Sequence, residues 1–226
     1  MKKFLGLFKI RTNNKNSRGN ENESKEEQIK ELSTEHPVLR DLAVAGLDCD
    51  YLPSAKGDFG HVSSNSIPVN GLRGTFKYIN RLRCKCGVGL LFHRIATTKE
   101  EAIEGYNVVD LYETVCLEGK HWDVLFLHFI HPRRSTLAPQ GYYFADFHPI
   151  FSKLTLAYGT NQHDNTFPFG LGKFIEEQFK MIPLRQKYEK IIKDKGKFVK
   201  PKEHEAMLNE IILNIRLKNK VSAENN

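Results

Sequence analysis

The chain has 226 residues, with 34 Lys/Arg against 27 Asp/Glu and 40% hydrophobic residues. This is a globular composition; it excludes a collagenous chain, a Pro/Gly-rich disordered one and a small disulfide scaffold. The excess positive charge sits at the ends: residues 37–172 hold 13 basic and 13 acidic side chains, whereas residues 173–226 hold 13 and 8.

Residues 1–36 read as a mobile N-terminal segment. Phe4, Leu7 and Phe8 share one helical face, but two turns do not hold a helix alone. A frayed end and a membrane-surface contact at Phe4–Phe8 are both open. Residues 12–30 are Asn, Lys, Ser, Glu and Gln with almost nothing to bury. No stretch approaches the roughly 18 apolar residues of a transmembrane helix, and no signal-peptide pattern is present. With four scattered cysteines, the expectation is a cytoplasmic protein with reduced thiols.

The body spans 37–170. Pro37 suits a helix first turn, and Val38, Leu39, Leu42 and Ala45 follow at helical spacing up to Gly46. A long irregular stretch, 47–74, comes next; Asn65–Gly71 is its most turn-like part. Alternation over Thr75–Arg83 predicts a strand, with Phe76, Tyr78 and Leu82 on one face. Cys84-Lys85-Cys86-Gly87 predicts a turn, and Val88–Arg94 a strand pairing back as a hairpin. Thr98-Lys99-Glu100-Glu101 has the form of a capping box, opening a short helix to about Gly105. Tyr106–Leu117 and His121–Ile130 predict strands around a turn at Glu118-Gly119-Lys120. Short strands and little helix are expected over 131–170.

Helices close the chain from 171 to 226. Leu171, Phe174, Ile175 and Phe179 recur at helical spacing; Pro183 ends that helix or begins the next. Ala206, Leu208, Ile211, Ile212, Ile215 and Leu217 predict a last amphipathic helix. Strands followed by helices indicate an α+β fold: an antiparallel β meander body with an N-terminal helix and a C-terminal helical segment.

Three groups of residues could carry chemistry. His93, His121 and Asp123 form a possible His/Asp cluster, since His121 and Asp123 face one way on a strand. The bland alternative is a strand end with two solvated polar groups. Cys84-x-Cys86 could place two thiolates on one ion, but structural zinc sites need a second ligand pair. His93 or Cys116 would have to come from a neighbouring strand. The motif therefore reads as a hairpin turn, with no metal and no cofactor. The most distinctive run is His131-Pro132-Arg133-Arg134-Ser135. Adjacent arginines on a loop suit bidentate recognition of a carboxylate or phosphate, and Tyr142 lies close behind. Arg133, Arg134, His131 and Tyr142 are thus the binding candidates, unless the arginines pair with Asp123 or Asp146.

Ile67-Pro68-Val69-Asn70-Gly71, Leu91-Phe92-His93-Arg94, Trp122-Asp123 and His131-Pro132-Arg133-Arg134-Ser135 together resemble the recurrent words of an uncharacterised bacterial protein family, over about 37–145. That resemblance implies one unit and no activity. The leading expectation is a non-enzymatic binding or accessory protein that recognises another macromolecule, a protein, through an Arg/aromatic loop. Nucleic acid is the secondary partner, through the basic C-terminal region, because a duplex-binding domain concentrates basic charge on its body. The alternative is a hydrolase or nuclease using His93, His121, Asp123 and His131 with Arg133 or Arg134.

Overall fold

The structure, a computed structural model, describes residues 50, 52, 55–100, 107–131, 133–144 and 166–224. The N-terminal segment, the helix expected from Pro37 and all of 145–165 lie outside the described residues. In chain order the strands are β1 (Ile67–Pro68), β2 (Leu82–Cys84), β3 (Leu90–Lys99), β4 (Val108–Cys116), β5 (Trp122–His128) and β6 (Tyr142–Phe144). The helices are α1 (Gly71–Arg81), α2 (Leu171–Phe179), α3 (Ile182–Ile191) and α4 (Lys202–Glu224). The architecture is α+β. Among the described residues, no helix is long and apolar enough to cross a membrane.

β3, β4 and β5 form the expected antiparallel meander, and β1 adds to the outer side of β5 in parallel, giving the order β1-β5-β4-β3. β2 and β6 make a separate antiparallel pair with Cys84 opposite Tyr142. β4 carries Val, Leu and Tyr on alternate sides, so it is buried along nearly its whole length. One sheet face packs Phe92, Tyr112, Leu125 and Leu127 against Phe76, Tyr78 and Ile79 of α1. The other face packs against α2–α4: Leu91 and Val115 meet Ile175, Leu184 and Tyr188, while Leu111, Val124 and Phe126 meet Leu208 and Ile215. Each such buried aliphatic side chain contributes about 1.5–3 kcal/mol relative to exposure.

Two expected elements change identity. The segment expected to be a strand at Thr75–Arg83 is mostly helix α1. Its buried residues are Gly71, Gly74, Thr75, Phe76, Tyr78 and Ile79, which is a three- and four-residue spacing. Ile79, fully buried, breaks the two-residue alternation. Gly74 lets α1 lie close to its neighbours, since a Cβ there would stand 2.0 Å from Asn70 Oδ1 and 3.4 Å from Arg134 Cγ. The capping-box segment is not a helix start either: Thr98 and Lys99 complete β3, paired with Val109 and Val108. Residues 101–106 lie outside the described residues.

Candidate metal centre

Two similar turns meet at one end of the sheet. In the first, the Gly87 N–H donates to the Cys84 carbonyl at 2.7 Å, and the Cys84 N–H to Val88 O at 3.0 Å. In the second, the Gly119 N–H donates to Cys116 O at 2.7 Å, and the Cys116 N–H to His121 O at 3.0 Å. Both glycines take positive φ, +86° and +71°, a conformation that L-residues adopt at a cost. Gly119 is also sterically required, because a Cβ there would fall 1.8 Å from Lys197 O. The Leu117 N–H donates to Gly89 O at 3.0 Å and ties the second turn to the first.

The first turn thus presents two thiols, and the second a thiol and an imidazole, toward the same point. One ligand atom from each of Cys84, Cys86, Cys116 and His121 lies within 4.8 Å of all the others. Cys84 Sγ stands 3.0 Å from His121 Nδ1, and Cys116 Sγ 3.7 Å from it. The three thiols are free; Cys84 and Cys116 are buried, Cys86 and His121 half-buried. Burial pushes the Cys84 thiol up to about 12. Burial would raise Cys86 as well, but hydrogen bonds from the Cys84 and Cys116 side chains outweigh it and bring that thiol below its ordinary value. Partial burial, then Lys85 and Lys120, lower the His121 pKa and favour the neutral imidazole. The expectation of no metal ligands rested on the lack of a second Cys pair. The fold brings Cys116 and His121, from the β4–β5 turn, to the Cys84-x-Cys86 pair. Cys116-x-x-Gly119 repeats the glycine placement of Cys84-x-x-Gly87 and was the available signal.

Asp123 and Tyr142 come together beside this cluster. The Tyr142 hydroxyl donates to Asp123 Oδ2 at 3.0 Å and lies 3.2 Å from Thr114 Oγ1. His61, which the sequence reading did not single out, stacks on the Tyr142 ring and places Nδ1 3.5 Å from Asp123 Oδ2. The hydrogen bond with Asp123 raises the His61 pKa against the opposing effect of burial.

His93 sits on the opposite, helix-covered face. It hydrogen-bonds Glu113 Oε2 at 2.7 Å, while His204 and Lys200 reach Oε1 at 3.1 and 2.7 Å. The Glu113 side chain is fully buried. Burial alone would raise its pKa; hydrogen bonds from His204 and His93, with the charges of His93 and Lys200, hold it well below the ordinary carboxylate range. A glutamate within an apolar strand was the signal for this cluster, and the sequence reading passed over it.

The arginine loop lies past the end of β5 that is opposite His121. The loop is less exposed than expected. His131 and Arg134 are 5% and 7% exposed. His131 Nδ1 lies 3.0 Å from Arg133 O. Arg133 pairs with Asp50 at 2.9 Å, rather than with Asp123, and the same carboxylate accepts from the Thr136 N–H at 2.7 Å and the Thr136 hydroxyl at 3.0 Å. Asp146 lies outside the described residues. Of the residues of the hydrolase alternative, His93, the His121–Asp123 pair, and His131 with Arg133 and Arg134 thus occupy three separate places. No family model, curated protein or solved structure matches the chain.

Proposed function

We propose that the chain is a non-enzymatic binding protein that recognises another protein, and that α4 carries the recognition face. The observation behind this reading is a pair of leucines on the wrong side of an amphipathic helix. His204, Leu208 and Ile215 of α4 are buried against the sheet side of the molecule. Leu213 and Leu217 are 56% and 54% exposed. At 100° per residue they project opposite Leu208 and Ile215. Glu210 and Arg216 flank them on the exposed surface. An exposed apolar pair within a charged surround is the composition of an interaction patch.

This surface replaces the arginine loop as the expected contact. Arg133 pairs with Asp50, and Arg134 is buried, which suits a structural role. The dispersal of His93, His121, Asp123 and His131 also favours binding over hydrolysis, since general acid–base catalysis needs groups converging on one reacting atom.

Quantitative co-purification from the source cells tests the reading, comparing the wild-type chain with Leu213→Asp plus Leu217→Asp. The double variant melts as the wild type does, and it selectively loses one or more protein partners. A partner set identical in both chains overturns the proposal. Loss of nucleic acid on Arg216→Gln, with all protein partners kept in the leucine variant, favours the nucleic-acid reading instead.

A further inference from the structure

We propose that Cys84, Cys86, Cys116 and His121 bind one zinc ion in a closed tetrahedral site that pins the end of β2 to the β4–β5 turn. The ligand set has the right number and softness: three sulfurs and one imidazole nitrogen match structural zinc, which fills four positions with protein ligands. The geometry is close to that of a filled site. Zn–S and Zn–N bonds of about 2.3 and 2.0 Å, set at tetrahedral angles, separate neighbouring ligand atoms by about 3.5–3.8 Å. The 3.7 Å from His121 Nδ1 to Cys116 Sγ falls in that range, the 3.0 Å to Cys84 Sγ lies below it, and all four atoms lie within 4.8 Å.

The ligands come in two pairs from two rigid turns. Backbone hydrogen bonds and a positive-φ glycine fix each turn, and Leu117–Gly89 joins them. Little reorganisation is needed to close around an ion. The local charge also suits an anionic centre. Three thiolates on Zn2+ leave a net charge of one minus, and Lys85 and Lys120 both act electrostatically on His121. On binding, each of the three thiols releases its proton to solvent as its S–Zn bond forms; no electron transfer is involved. With four protein ligands the ion has no open position for substrate. Its role is to cross-link β2, which follows α1, to the main sheet, and this holds whether or not α4 is the docking face.

The full chain, purified without chelator from zinc-supplemented culture, carries about one zinc per chain through dialysis. An organomercurial that titrates the thiols releases it. Cys86→Ser and His121→Asn, both at half-buried positions, fold and retain less than about half an equivalent. Metal-depleted wild type takes up Co2+ with the visible bands and thiolate charge-transfer absorption of a tetrahedral sulfur-rich site, and Cys86→Ser shifts those bands. Wild-type chain that holds no zinc and gives no such cobalt spectrum overturns the site. So does zinc retained in full by both variants, or a Cys84–Cys116 disulfide recovered from the native protein.

Discussion

Glu113 gathers three side-chain partners around one buried carboxylate. Its fully buried carboxylate accepts from His93 and His204 and pairs with Lys200, and the His93 ring is sandwiched against Phe167 at 4.1 Å. A buried charge this well paired is costly to break, because each partner is left desolvated. Glu113→Ala should lower stability by about 3–5 kcal/mol, measured by chemical denaturation. Its pH dependence has a definite sign. The folded pKa lies below the ordinary value, so the unfolded chain takes up the proton first. The stabilisation is complete above about pH 4.5, the unfolded range, and is lost as the pH falls below it toward the folded pKa. Glu113→Gln should flatten this acid limb of the stability curve. A wild-type limb unchanged by the substitution would show that another carboxylate sets it. At this scale the sequence was only partly legible. Cys84-x-Cys86 was visible, but its partners were set by strand register, with Leu90 opposite Cys116. The register between β3 and β4 is a tertiary fact, and so is the arrival of His204 from a helix 91 residues away.

α1 and α4 show how burial on one side or two decides what periodicity means. The central meander was legible because β4 and β5 are long, apolar and separated by a glycine turn. α1 was not, because its sequence carries apolar groups at both two- and three-residue spacing, and packing against Phe92 and Leu125 settled the choice. In α4 the expected apolar face mixed two sides of the helix. Ala206 and Leu217 point to solvent, while Leu208 and Ile215 form the buried face. The two sets should therefore respond differently to truncation. Leu208→Ala leaves a cavity beside Leu111 and Val124 and should cost about 2–4 kcal/mol. Leu213→Ala should stay within about 0.5 kcal/mol, since an exposed side chain has little to lose. Urea unfolding of the two variants separates them. Equal costs would mean that Leu213 is covered by another part of the chain and is unavailable to a partner.

The molecule as a whole is a sheet held between two unlike layers. α1 with β2 and β6 covers one face, and α2–α4 cover the other. The C-terminal helices are thus structural walls of the body rather than a detached appendage: Glu113 is sealed by Lys200 and His204, and Val115 by Tyr188. This arrangement sets an order of local stability. β4 has a hydrogen-bonded neighbour on each edge and a packed layer on each face. β1 has two residues and an edge position, and β6 has three residues with Tyr143 exposed. Amides buried in the centre of a packed sheet open only with the global transition, whereas short edge elements open locally. Native-state hydrogen exchange should therefore find its slowest amides in β4 and the facing residues of β5, with β6 exchanging earlier. Zinc loaded at Cys84, Cys86, Cys116 and His121 should slow exchange in the β2 end and in the 116–121 turn while leaving the middle of β4 unchanged. Faster exchange in β4 than in β6 would mean that the two layers do not clamp the sheet as a unit.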